Sequence, residues 1–336
     1  MIRFEDNEFE IALCTYNRSE FVRKWLDLNY QQAVNRNISI RIIDSSTNEE
    51  TCDFINNFNK DKTIGVQYLK IDSSTIIGYK PMEALLSATT KYTWVAGDSR
   101  YHDYGELDKT VFPCIKRGID FITLYIVNNA HNSGKVYTDY SEFIHDCFVS
   151  TTCIGLSIYK NSIFNDIKNN PASMAQLDNL FSNNYGFAWL GYFYSEFAKG
   201  NYTAAFEKVN VYNILSNKKK QTWAKRFYGC WLDDLCQIVD NIPDVYKDKD
   251  KIPFEVWRDM KLWGDSHCYT ARKHGDLNKD SFNRYLENGA LDRITEDYRT
   301  IKYYACAPMF MVECRYLLFR ILRKLKSLVK KAGVIK

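Results

Sequence analysis

The sequence predicts an α/β protein, a mostly parallel sheet flanked by helices and followed by a helical C-terminal extension. Three observations predict it. In the first hundred residues, short apolar runs alternate with segments of about ten residues that carry helical spacing, the pattern of strands joined by helical crossovers. Each of those apolar runs closes on a polar cluster. After Asn217 the character turns helical, which sets a boundary near Ser216 between residues 1–215 and residues 216–336.

The elements follow in order. Residues 9–14 are an apolar run without helical period and read as a strand. Asn17 or Ser19 can cap the next segment, where Phe21, Trp25, Leu26 and Leu28 support a helix over 20–30. Residues 38–43 form a second strand, 49–58 a second helix, 66–71 a third strand, 81–90 a third helix and 92–96 a fourth strand. Beyond it, 103–117 reads as helix, 121–127 as strand, 128–145 as loop, 153–159 as strand, 162–168 and 187–198 as helices, and 203–211 as extended. Helices are expected over 223–239, 254–263 and 281–287.

Composition narrows the classes. The chain has 336 residues, 46% hydrophobic and 26% charged, an ordinary globular balance that excludes disorder. A net charge of +4 is too small for a nucleic-acid-binding surface, so no such partner is expected. Ten cysteines are scattered without a C-x-x-C pair, which predicts reduced, mostly buried thiols in a reducing compartment and a cytoplasmic location. The acidic N-terminus lacks the apolar core of a signal peptide, and no apolar run is long enough to span a bilayer. The positive charge concentrates in residues 315–336, where Arg315, Arg320, Arg323, Lys324, Lys326, Lys330, Lys331 and Lys336 meet no acid. Leu318, Ile321, Leu322, Leu325, Leu328 and Val329 share one helical face there. Such a helix can lie on an anionic membrane surface or dock on the protein core.

The strand ends carry the candidate chemistry. Ligands of open parallel sheets bind outside the carboxyl ends of the strands. Here those ends hold Thr15, Tyr16, Asn17 and Arg18, then Asp44, Ser45 and Ser46, then Asp72, Ser73 and Ser74, then Gly97, Asp98, Ser99 and Arg100. The turn at 15–18 opens a helix whose free N–H groups suit an anion, and Arg18 adds positive charge. Asp44 can accept from a ribose or a base edge, and Asp98 can reach a divalent ion bridging phosphates. Together they point to a nucleoside diphosphate. Neither a G-x-G-x-x-G nor a P-loop motif is present. The five histidines lack zinc-hydrolase spacing, and the neighbours His145, Asp146 and Cys147 do not make a nucleophile pair. Trp189, Trp223, Trp231, Trp257 and Trp263 can stack on sugar rings or fill core.

Residues 11–18, IALCTYNR, resemble the opening strand and turn of family 2 glycosyltransferases, which have the Rossmann-like GT-A fold. Residues 42–48, IIDSSTN, and 78–98, GYKPMEALLSATTKYTWVAGD, resemble the family's next two segments, the latter ending at its metal motif. The resemblance covers residues 8–100 well and 101–212 weakly, through IGLSIYK at 154–160. It implies hexosyl transfer from a nucleotide-sugar donor, usually a UDP-sugar, to an acceptor hydroxyl, with inversion by direct displacement. Thr15, Tyr16, Asn17, Arg18, Asp44, Ser46, Gly78, Lys80, Asp98 and Arg100 would then line the nucleotide site. Asp98 would be the metal ligand for Mg²⁺ or Mn²⁺.

The chain departs from the family twice. The metal motif reads Gly97, Asp98, Ser99, Arg100, with a cation where a metal-binding carboxylate stands in relatives. Either Asp98 holds the metal with help from Asp103, His102 or His145, or Arg100 supplies part of the metal's charge. The family's Glu-Asp pair would fall near Ala188 and Trp189, neither acidic, which leaves Asp178 in the preceding loop and Glu196 along the helix as the nearest candidate bases. With the basic tail, these residues suggest a glycan or lipid-linked acceptor at the inner membrane face and a place in polysaccharide biosynthesis. A catalytically degenerate subunit supporting an active partner is the main alternative. A nucleotidyltransferase would need a Gly-rich first turn, and residues 14–17 contain no glycine.

Overall fold

The computed structural model describes residues 1–62, 64–125, 133–214 and 225–331. They fall into two compact units, Met1–Lys219 with Gln237–Lys249, and Lys220–Cys236 with Asp250–Lys336. The expectations for Ser216, His131, Trp223 and residues 332–336 lie outside the described residues.

The first unit opens with β1 (Phe9–Thr15), α1 (Ser19–Asn35), β2 (Ser39–Asp44), α2 (Glu50–Asn59), β3 (Gln67–Lys70), α3 (Lys80–Leu86) and β4 (Tyr92–Gly97), the alternation expected from the sequence. It continues through β5 (Arg100–His102), α4 (Tyr104–Leu107), α5 (Val111–Lys116), β6 (Phe121–Tyr125), β7 (Lys135–Tyr137), α6 (Tyr140–Thr151) and β8 (Ser157–Lys160). Then come α7 (Asn165–Asn169), α8 (Pro171–Phe181), α9 (Ala188–Phe197), β9 (Ala204–Lys208) and β10 (Val211–Asn213). Eight strands form one sheet in the order β3-β2-β1-β4-β8-β6-β9-β7, and β5 pairs with β10 in a second. The large sheet is parallel from β3 to β4 and again between β6 and β9, while β8 and β7 run antiparallel to their neighbours.

Central strands buried on both faces read as unbroken apolar runs, which is why β1 was legible. Its Ile11 and Leu13 pack with Ile40, Ile42 and Trp94 in one core. From α1, Val22, Trp25 and Leu26 join that core, each side chain contributing on the order of 2 kcal/mol by leaving water. Glu10 and Arg41 interrupt the apolar pattern and satisfy each other: Arg41 donates to both Glu10 oxygens, at 3.0 and 2.6 Å.

Three expectations are corrected. The helix expected over 103–117 is two, because Pro113 in α5 has no N–H to bond back to Lys109. The expected loop 128–145 contains β7 and the start of α6. Asp139 caps that helix by accepting from the Ser141 and Glu142 amides, while Phe143, Ile144, Cys147 and Phe148 are buried. Asp178 lies in helix α8, capped by Asn170 with Pro171 in its first turn, and not in a loop.

The helix α10 (Leu235–Asn241) falls mostly in the first unit, and the second unit is helical, with α11 (Ile252–Met260), α12 (Asp265–Lys273), α13 (Lys279–Glu287), α14 (Arg299–Cys306) and α15 (Met309–Lys331). Val312 is buried, Arg315 pairs with Asp265 at 2.6 Å, and Tyr316 stacks on Tyr269 with centroids 3.8 Å apart, so the start of α15 is docked. Arg315 is therefore not a free tail cation. From Leu317 on, α15 exposes Leu317, Leu318, Ile321, Leu322, Leu325 and Leu328. Among the described residues no helix is long and apolar enough to cross a membrane. All ten cysteines are free thiols; five are buried, but Cys306 and Cys314 are exposed, against the expectation for them.

Candidate active site

Strand register builds the site. β1 and β2 pair Thr15 with Asp44, β1 and β4 pair Cys14 with Gly97, and β2 and β3 pair Asp44 with Lys70. Four carboxyl ends thus finish along one edge, and the polar clusters that close them meet there.

Asp98 follows β4 directly. Its Oδ2 accepts from the Thr15 hydroxyl at 2.8 Å, and its Oδ1 is 2.9 Å from Arg18 Nη1. The residue is 4% exposed. Burial pushes its pKa up to about 6, against the pull of Arg18, Thr15 and Lys80. The Arg18 guanidinium also lies over the Phe21 ring, 3.9 Å from its centroid. Arg18 is itself the N-cap of α1 and makes no side-chain cap bond, so neither Asn17 nor Ser19 caps the helix. Ser19 donates instead to Glu50 at 2.9 Å.

Asn17 adopts a left-handed backbone, φ 51°, which asparagine tolerates better than most residues. That turn directs its N–H to Ser46 Oγ at 2.7 Å and its side-chain oxygen to the Thr47 N–H at 2.9 Å. Asp44 is fully buried. It accepts from the Ser46 N–H and the Tyr68 hydroxyl, both at 2.8 Å, and from the Ser46 hydroxyl. The first and second strand-end loops are therefore stitched into one platform. Tyr68 and Thr47 were not singled out from the sequence; Tyr68 lies half-buried on the short edge strand β3 and carries no motif.

Lys80 opens α3. Its ammonium sits 4.5 Å from the Tyr16 ring centroid. Burial lowers its pKa, while Cys14, Asp44 and Asp98 act in the opposite direction. Among the described residues the ammonium has no hydrogen bond and no ion pair. Just before it, Gly78 donates to the Tyr185 carbonyl at 2.8 Å and accepts from the Trp189 N–H at 2.9 Å. A Cβ at Gly78 would stand 2.5 Å from the Asn184 carbonyl oxygen and 2.7 Å from that of Tyr185, so only glycine fits.

Arg100 begins β5, paired with Asn213, and its guanidinium comes within reach of the Cys153 thiol. Gly155, at φ 100°, packs on the Gly97 amide. The 153–155 turn thus backs the Asp98 turn from β8's side, a long-range contact without a local sequence signal.

The proposed metal helpers are engaged elsewhere. Asp103 caps α4 by accepting from the Gly105 and Glu106 amides. His102 lies 3.2 Å from the Asn210 carbonyl and against Trp94, and burial lowers its pKa to about 4, so it is neutral. His145 Nε2 is 3.0 Å from the Lys247 carbonyl. Among the described residues no cluster of His, Cys, Asp and Glu could hold a metal ion. One carboxylate already paired with a guanidinium, with Lys80 acting on it as well, is not a donor set for Mg²⁺ or Mn²⁺.

The candidate bases sit on α8 and α9. Asp178 accepts from the Tyr192 hydroxyl at 2.5 Å, and the Tyr192 ring is 5.7 Å from that of Tyr79. Glu196 is buried near the end of α9, 2.6 Å from Lys199, and burial raises its pKa while Lys199 opposes. Among the described residues, neither has a contact with Thr15, Arg18 or Asp98. Ala188 and Trp189 begin α9 and are buried. Trp189 and Trp257 are core, while Trp231 and Trp263 are partly exposed. A cavity of about 350 Å³, lined in part by Lys91, Lys160, Asn161 and Lys168, lies at the opposite end of β4.

No protein-family model matches this chain, and no curated protein matches it. Among solved structures it is similar to the mannosyltransferase PcManGT from Pyrobaculum calidifontis in complex with GDP-Man and Mn²⁺. That match has a TM-score of 0.52 and 12% identity, and covers 94% of this chain and 89% of that one. It is also similar to S. aureus TarS, at TM-score 0.47 and 13% identity over 88% of this chain, and spans about half of TarS, 55%. Glucosyl-3-phosphoglycerate synthase from Mycobacterium tuberculosis matches at TM-score 0.44 and 12% identity, over 70% of this chain and 81% of that one. The mannosyltransferase match shows the fold, and the chain has the GT-A architecture expected from its sequence.

Proposed function

We propose that this chain is a family 2-type glycosyltransferase that moves a sugar from a nucleoside diphosphate donor, a UDP-sugar by its sequence resemblance, to a hydroxyl of a glycan or lipid-linked acceptor. The observation that carries the reading is the single edge at which Thr15, Asp44 and Asp98 end parallel strands beside Arg18 and Lys80. The GDP-Man bound by the mannosyltransferase of the same fold supports it.

In this reading the Asn17–Ser46–Asp44 platform holds the nucleoside, and Arg18 and Lys80 face the diphosphate. As the bond from the anomeric carbon to the β-phosphate oxygen breaks, its electron pair goes to that oxygen. Preorganised cations stabilise the charge that develops there. The acceptor oxygen attacks from the opposite face, which inverts the anomeric centre, and its proton passes to a carboxylate. Asp178 is the better candidate for that base, since the Lys199 ion pair occupies Glu196. The exposed apolar face of α15, flanked by Arg320, Arg323, Lys324 and Lys326, supports peripheral attachment to an anionic membrane.

Ala188 and Trp189, where the family's acidic pair would fall, favour one second reading, a donor-binding subunit without turnover. Thermal melts and nucleotide-release assays with UDP-, GDP- and dTDP-sugars separate the two. A donor that raises the melting temperature and is turned over supports the transferase. A donor that binds without turnover, with every acceptor class offered, supports the subunit. If no donor shifts the melt, both readings fail.

A further inference from the structure

We infer that this chain seats its nucleoside diphosphate on protein cations, with no divalent metal ion in the complex. The inference rests on the nucleotide-sugar reading above and concerns what neutralises the diphosphate.

Asp98 is the only acid of the motif, and both of its oxygens are in use, one accepting from Thr15 and the other paired with Arg18 at 2.9 Å. A divalent ion at Asp98 would displace the guanidinium and leave it beside a second, doubly charged cation. Asp44 offers no alternative, because Ser46 and Tyr68 saturate it from inside the fold. Mg²⁺ seeks about six oxygens in a tight octahedron, and this edge presents guanidinium and ammonium groups in their place. Arg100, two residues beyond Asp98, brings a further guanidinium and no donor oxygen.

The same residues suit a diphosphate. Lys80 holds a half-buried ammonium over the Tyr16 ring, and among the described residues nothing completes it. A buried charge without a partner is unfavourable, and an anionic ligand at this point would repair it. Arg18 uses only Nη1 on Asp98, which leaves the rest of its fork for phosphate oxygens. Asp98 and the Phe21 ring fix that fork in position.

Calorimetry on the full chain tests this with uridine, UDP, guanosine, GDP and inorganic pyrophosphate, each in EDTA and in Mn²⁺. A diphosphate should bind in EDTA at least tenfold more tightly than its nucleoside, and Mn²⁺ should change that affinity less than about twofold. Lys80→Met should weaken the diphosphate by roughly ten- to a hundredfold, as loss of one charge-assisted contact implies, and leave the nucleoside unchanged. Lys80→Arg should restore most of it. Lys80→Met should melt no lower than the wild type, since it removes an unpaired charge; if it does not fold, the EDTA comparison on the wild type still decides. Diphosphate binding that collapses to the nucleoside's level in EDTA and returns with Mn²⁺ overturns the inference and leaves the donor reading standing. No binding by any nucleotide under either condition overturns both.

Discussion

Asp98→Asn should make the protein more stable and less functional. The carboxylate is 4% exposed, and its pKa stands at about 6 against an ordinary 3.8. At roughly 1.4 kcal/mol per tenfold, keeping it ionised in the fold at neutral pH costs about 3 kcal/mol. Asparagine has the same shape and can still accept from Thr15, but it cannot satisfy both Thr15 and Arg18, which offsets part of the gain. The net expectation is a stabilisation of about 1–3 kcal/mol, or roughly 3–10 °C for a unit of this size. The pH dependence carries the sign. Below about 3.8 Asp98 is protonated in both states and costs nothing; as pH rises through about 6 the folded carboxyl must ionise and stability is lost. The advantage of Asp98→Asn should therefore be near zero at pH 4 and maximal above pH 7. Melting curves across that range, paired with calorimetry of UDP and GDP, measure both arms. A variant that melts lower than the wild type at pH 7.5, or a difference that does not change with pH, would refute the argument.

Other expectations can be checked alongside. Gly78→Ala places a Cβ against two backbone carbonyls and opens the bonds to Tyr185 and Trp189, so it should cost at least about 2 kcal/mol, seen as a melting temperature lowered by 4 °C or more; an unchanged melt contradicts the packing role. His102, at about 4 in the fold, should lose stability as pH falls from its ordinary 6.5, by roughly 3 kcal/mol in all. Asp98 acts in the opposite sense over much of that window, so the loss should be steepest in the Asp98→Asn protein and shrink by about that amount when His102→Gln is added; urea melts at pH 4.5 and 7 report it. Truncation after Phe319 keeps the Arg315–Asp265 pair and the Tyr316–Tyr269 stack but removes the exposed apolar face from Ile321 on, with its basic flank. It should leave the melt unchanged and abolish co-sedimentation with anionic vesicles, and retained co-sedimentation would end the membrane reading.

What could be read from the sequence follows from how local each signal is. β1, β2 and β4 were legible because buried strands in a parallel sheet are mostly apolar, broken only by the Glu10–Arg41 pair and by polar Thr93 in β4, and their polar ends stand out. Helices α6 and α8 were not, since their surfaces are polar and their caps, Asp139 and Asn170, resemble loop residues. The clustering of Thr15, Asp44 and Asp98 at strand ends was visible, but the pairing was not. Thr15 and Asp98 are 83 residues apart, and only the register of β1 with β4 brings them together. Asp44 looked like a free acceptor and proves to be occupied by Ser46 and Tyr68.

Lys80 is the instructive case. A lysine at the first residue of a helix faces the positive end of the macrodipole, where acids are favoured by a few tenths of a kcal/mol or more. Burial adds a second penalty, and the Tyr16 ring offsets only part of it. Arg18, the N-cap residue of α1, repeats the pattern at a neighbouring helix, where Asp98 meets its charge. Two cations thus stand at two helix N-termini, one paired with Asp98 and one without an ion pair among the described residues, while burial works against Lys80 and the Asp44 and Asp98 carboxylates act to keep it charged. Such an arrangement is stable in a protein only when the rest of the fold compensates it, and it becomes favourable on its own terms when a polyanion arrives. That local penalty is what the proposed diphosphate would relieve.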